Sequence, residues 1–177
     1  MGYTLISDDE IASMTGGVFL FTRTLTVSDT LLTSPAYILG SYLIEEEIGS
    51  MTDPVDVDDW PLYVGFMPDG SGIKTELCSI YDTSPQKDGR SMEGPVFQHY
   101  AMQLKIRSDD YVMGYAKLEE IASDLDAIHN ETITISDAEF QIQNITRSGV
   151  IPLGMEPSSK KRFLFTVNLV VAMRRVT

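Results

Sequence analysis

The residues best suited to chemistry are few. They are two histidines, His99 and His129, one cysteine, Cys78, and two acidic stretches, Glu45–Glu47 and Asp53–Asp59. A general base or a metal site needs one histidine beside further donors, and neither has a second histidine near it in sequence. His99 is expected on the wet parity of a strand. His129 is expected at a helix C-terminus, where a partial positive charge is welcome. A lone cysteine excludes an intrachain disulfide and a multi-cysteine zinc site. Cys78 sits in an apolar stretch, which reads as a buried, inert thiol. A nucleophile–histidine–acid set need not be contiguous in sequence, but no G-x-S-x-G elbow is present. Neither G-x-G-x-x-G nor G-x-x-x-x-G-K-[ST] occurs. The Asp53–Asp59 stretch lacks the EF-hand spacing, with Gly at position 6 and Glu at 12, and reads as a solvated linker.

Charge narrows the partners. The 177 residues carry 13 Lys and Arg against 26 Asp and Glu, a formal charge of -13. Nucleic-acid binders need a basic footprint to displace counterions, and the chain as a whole lacks one. A local basic group, Lys160, Lys161, Arg162, Arg174 and Arg175, reads as a solvated turn plus a strand end. The first ten residues show no basic region followed by an apolar one, so no signal peptide is expected. No apolar run approaches the ~20 residues of a membrane span. Folding in a reducing cytoplasm is the expectation.

These side chains are positioned by elements that alternate at readable periods. Ser7 and Glu10 have capping-box spacing over a short helical turn. Val18–Val27 is β-rich. Ser34 caps, and Pro35 opens, a helix whose stripe is Ile38, Leu39, Tyr42 and Leu43, with Gly49 as its stop. Trp60–Met67 and Lys74–Tyr81 read as a hairpin about the Pro68–Gly72 turn. Thr83–Pro95 is a polar loop long enough to suggest a task. Val96–Arg107 alternates cleanly: Tyr100, Met102, Leu104 and Ile106 form a buried face, and His99, Gln103, Lys105 and Arg107 a wet one. Ser108 caps a second helix over Asp109–His129 with Tyr115, Leu118, Ile121, Ala122 and Leu125 inward. Strands Thr132–Ile135 and Ala138–Thr146 follow, then a loop over Ser148–Ser159. The closing strand Lys161–Val176 is far longer than the usual 5–6 residues. The predicted fold is α+β: a two-layer, mainly antiparallel sheet with two helices on one face. It comprises an N-terminal extension, residues 1–33, and a single domain, residues 34–177.

One stretch is more specific. The strand Tyr100–Arg107 runs through Ser108-Asp109-Asp110-Tyr111 into the helix Gly114–Ala122. A strand end of the form V/I-x-V/I-R-x-x-D/S-Y thus enters a helix of the form A-x-x-L/I-x-x-I-x-x-x-L. With Ile145–Gly154 and the strand Arg162–Arg175, this resembles the tail terminator and minor capsid (tail completion) proteins of long-tailed bacteriophages. The resemblance covers about Ile38 to Thr177. It implies a structural virion protein, not an enzyme, without cofactor or metal. Such proteins form a homo-oligomeric ring, typically hexameric, that caps the tail tube and joins it to the head connector in the virion neck. DNA passes through the lumen without specific binding, and no membrane is involved. A tail-tube or head-completion protein is the neighbouring alternative. A small ligand-binding domain or enzyme is the alternative of another class, and would need a pocket with convergent polar groups.

On this reading the functional residues make contacts. Subunit contacts are expected at Val18, Phe19, Leu20 and Phe21, and in the loop at Gln86, Lys87, Arg90 and Met92. Acids of the lumen or rim are expected at Glu45, Glu46, Glu47, Asp56, Asp58 and Asp59, where carboxylates repel phosphates over a Debye length of about 8–10 Å. The same acidity also serves solubility.

Overall fold

The computed structural model describes residues 31, 33–54, 60–83, 97–156 and 161–176. Helix α1, Pro35–Glu45, starts as its sequence demands. Ser34 Oγ accepts from Tyr37 N at 3.2 Å, and the Asp82 carboxylate accepts from Ala36 N at 2.8 Å. A 3₁₀ turn, Ile48–Ser50, leads into the two-residue strand β1, Met51–Thr52. Strands β2 (Trp60–Val64), β3 (Leu77–Asp82) and β4 (Gln98–Ser108) follow, then helix α2 (Tyr111–Asp126). Four strands end the chain: β5 (His129–Ile135), β6 (Ala138–Arg147), β7 (Ile151–Met155) and β8 (Phe163–Val176).

The fold is α+β, with two helices and one mixed sheet of order β1-β2-β3-β4-β8-β6-β5, β7 also pairing with β8. The long β8 lies at the centre. It takes β4 along one side, and β6 and then β7 along the other. The expected two-layer sheet is corrected to a curled one. Helix α1 touches β1–β4 and also β5, at the far end of the strand order. Only a sheet bent toward a half-barrel brings both ends to one helix. The cause is the apolar stripes on both helices, which share a single cluster with Met102, Leu104, Ile106, Val167, Leu169 and Val171.

The predicted hairpin is also corrected. Strands β2 and β3 pair in parallel, with Leu62 opposite Cys78 and Val64 opposite Ile80. A parallel pair needs a crossover, and here it is short and carries no helix. It leaves at Gly65, whose N–H still bonds Ile80 O at 2.8 Å and whose φ of 80° suits glycine. The Pro68–Gly72 turn exists, but inside that crossover.

Its anchors overturn two further expectations. Arg107, expected on the wet face, is 1% exposed. Its guanidinium donates to Pro68 O (2.8 Å), Lys74 O (3.0 Å) and Thr75 O (3.2 Å), which roofs it with the crossover. Arg162, expected in a solvated turn, is 2% exposed and paired with Asp69 and Glu156. Both arginines lie off the helix-covered face, so the crossover covers a patch of sheet that alternation marks as wet.

Smaller corrections follow from local hydrogen bonding. The cap of α2 is Asp110, not Ser108: its carboxylate accepts from Val112 N (2.7 Å) and Met113 N (2.9 Å). Ser108 is the last residue of β4. Helix α1 ends at Glu45, before Gly49, because Glu47 already turns left-handed (φ 51°). Tyr115, assigned to the buried stripe, is 37% exposed. The loop expected over Ser148–Ser159 contains β7, a strand that composition hid behind Pro152 and Gly154. The turn at Asp8–Met14, the Val18–Val27 strand and most of the Thr83–Pro95 loop lie outside the described residues.

Candidate assembly interface

The groups suited to chemistry stay apart. His99, in β4, faces Ala172; Ala172 faces Asn144, and Asn144 faces His129. The two histidines share one row but stand three strand spacings apart, roughly 14 Å, too far to share a metal or a proton. Cys78 is fully buried, and burial pushes its thiol up to about 12, with Lys117 opposing weakly. Such a thiol is inert at neutral pH. Among the described residues no three His, Cys, Asp or Glu side chains come close enough to hold a metal ion. An open groove of about 330 Å³ runs between α1 and β2, lined by Tyr37, Ser41, Ile44, Tyr63 and Phe66 among others. Among the described residues Asp53 is the one charged residue in its lining.

Exposed large apolar side chains occur at that groove, at Tyr37 (47%) and Phe66 (55%), and in larger number at the start of α2 and on β7. Tyr111, Val112, Met113 and Tyr115 occupy the first turns of α2, exposed by 44%, 73%, 59% and 37%. Beside them β7 exposes Ile151, Leu153 and Met155. The two groups are joined by β8. Met155 pairs with Phe163, and Pro152 with Phe165. The Tyr111 ring stands edge-on to Phe163 at 5.4 Å and to Phe165 at 5.1 Å. Gly114 lets the helix come this close: a Cβ there would lie 2.7 Å from Phe165 Cε2 and 2.8 Å from Ser108 Cβ. The result is an apolar patch around Tyr111, Phe163 and Met155 at the Ser108–Phe163 end of the sheet, while Ile151, opposite Thr166, lies on the other face. Contiguous patches of this kind mark interaction sites rather than ordinary surface.

Sequence reasoning located this patch only in part. It placed Tyr115 inside the core and took β7 for loop. The run Tyr111-Val112-Met113 after an acidic cap was the available signal, because only one face of that turn can be buried.

Of the residues expected in contacts, Val18, Phe19, Leu20, Phe21, Gln86, Lys87, Arg90 and Met92 lie outside the described residues, as do the acids Asp56, Asp58 and Asp59. Glu45, Glu46 and Glu47 are all exposed, at the C-terminal end of α1. Acids there oppose the helix dipole. Glu131 of β5 lies close by: burial, then Glu131, then Glu46, raise the Tyr42 hydroxyl above its ordinary value.

No family model matches the sequence, and no curated protein matches it significantly. One solved chain of unassigned name covers 80% of this chain and 94% of its own length, at 11% identity and a TM-score of 0.45. A likeness that distant carries no argument about function.

Proposed function

We propose that this chain is a structural subunit that assembles with its own copies into a ring, hexameric as in the family it resembles. The ring caps a phage tail tube and joins tail to head, and DNA passes through its lumen. The observation that carries the reading is the apolar surface from Tyr111–Tyr115 to Met155, on a chain whose formal charge is -13. Such a surface on so acidic a protein has its natural use in being covered. The resemblance of Tyr100–Ala122, Ile145–Gly154 and Arg162–Arg175 to tail terminators supplies the kind of assembly. On the same proposal the surplus segments are turned to neighbouring copies.

The enzyme alternative is disfavoured by the histidine spacing, the buried thiol and the shallow groove with few polar groups. Negative-stain microscopy with light scattering, on the chain alone and with tail tubes, tests the proposal. Discrete rings that cap tubes are expected. Open-ended tubes of the chain itself would move the assignment to a tube protein. A strict monomer that never meets tubes would overturn it.

A further inference from the structure

We infer that the apolar surface formed by the first turns of α2 and by β7 is the seat for the Val18–Val27 segment of a neighbouring copy. This rests on the ring proposal and names its contact.

Three observations lead to it. The first is chemical match. From Ile11 to Ser28 the sequence contains no carboxylate, and Arg23 is its one charge, in a chain with 26 acids. Val18-Phe19-Leu20-Phe21 is its most apolar part. The seat is apolar at Tyr111, Val112, Met113 and Met155, and rimmed by the exposed carboxylates of Asp109 and Asp110 and by Glu119. An apolar segment carrying a single cation suits an apolar floor with an acidic rim.

The second is reach. The start of α1 is tied to Asp82, which faces Met102, which in turn faces Leu169. The seat lies at the other end of those strands, where Ser108 faces Phe163. From Met102 to Ser108 is about 20 Å along the strand, and from β3 to β7 is three strand spacings, roughly 14 Å. The straight separation is therefore at most about 25 Å, the sheet being curled. The residues from Val27 to Ser34 span about 24 Å when fully extended. Within one chain the segment would reach the seat only when nearly fully extended. A neighbouring copy presents it without that constraint.

The third is the form of the seat. Strand β7 pairs with β8, and its register slips between Pro152 and Gly154. Pro152 lacks an N–H, so the rim offers a broken ladder. The contact is therefore made by side chains more than by an added strand. Val112 and Met113, the most exposed of the group, are its centre.

Cysteine cross-linking tests this in the full-length protein. Because Cys78 is fully buried, introduced thiols pair without competition from it. Variants Phe19→Cys, Phe21→Cys and Thr24→Cys are each mixed with Leu153→Cys under mild oxidation. A chain-to-chain disulfide is expected in at least one mixture, several-fold stronger than in either variant alone. A second arm is the double variant Val112→Asp and Met113→Asp, at positions too exposed to disturb the core. It should melt as the parent does yet lose the ring for the monomer mass. Rings that persist in this variant, with no mixed disulfide, overturn the inference and leave the ring proposal standing. A cross-link formed only when both cysteines share one chain overturns it equally. A parent chain that stays monomeric at every concentration removes both.

Discussion

The Arg162 guanidinium forks onto the Asp69 carboxylate at 2.8 and 3.2 Å, joining residues 93 positions apart. A second arginine, Arg107, holds three carbonyls of the same crossover. The two cations disfavour one another, since after burial Arg162 is the next cause lowering Arg107 from its ordinary value. Asp69 and Glu156 offset that repulsion. Arg107→Met should therefore destabilise the fold by about 2–4 kcal/mol, because three part-buried carbonyls lose their donor. Arg107→Lys should recover only part, since an ammonium cannot match the guanidinium fork. Urea denaturation measures both. An Arg107→Met protein of parental stability would show that the crossover is held by other means.

The crossover also ends at a partly buried carboxyl, Glu76. Glu76 is raised above its ordinary value of 4.5, first by burial and then through its contact with Asp109. A carboxyl raised in the folded state binds more protons there than when unfolded, so stability falls as pH rises through the window above 4.5. Glu76→Gln should accordingly raise Tm at pH 7, with the gain fading toward pH 4. Melting curves across that range decide it. A gain that grows on acidification would mean that the fold stabilises Glu76 as an anion.

These arginines also mark where sequence reading stops. Helix α1 was legible because Ser34, Pro35 and the Ile38–Leu43 stripe are local signals. The core parity of β4 and β8 was legible because alternation is local too. The parallel β2–β3 pair was not. Pro68-Asp69-Gly70-Ser71-Gly72 is the composition of a hairpin turn, and what makes the chain cross instead is held by Arg107 and Arg162, far along the sequence. Alternation likewise cannot tell a wet face from one roofed by a distant loop. Of the candidate interface, the apolar character of Tyr111–Met113 was on view. That β7 stands beside it follows only from pairing with β8.

Gly114 tests how closely α2 is seated. Alanine favours a helix over glycine by about 1 kcal/mol. Against that stands a Cβ at 2.7 Å from an aromatic carbon and 2.8 Å from Ser108 Cβ. Overpacking of this kind costs about 1–3 kcal/mol. Gly114→Ala should therefore be net destabilising and shift Tyr111 and Tyr115 off Phe165. Near-ultraviolet circular dichroism with denaturant titration reports both effects. A stabilised variant would mean that Phe165 yields freely, and that the floor of the interface is soft.

The acids that end α1 supply the sharpest check on the ring itself. Glu45, Glu46 and Glu47 stand where the helix dipole is already negative. Replacing all three by Gln should raise Tm slightly, because repulsion along the helix end and toward Glu131 is relieved. Under the ring proposal the task of these acids is to keep phosphates from adhering to the lumen or rim. Replacing the three by Lys should make assembled rings retain duplex DNA at low salt and release it as salt rises, since contacts with phosphates weaken by counterion release. Filter binding across a salt series reads this directly. Lysine-bearing rings that hold no more DNA than the parent would place Glu45–Glu47 away from the channel, and leave their acidity to solubility alone.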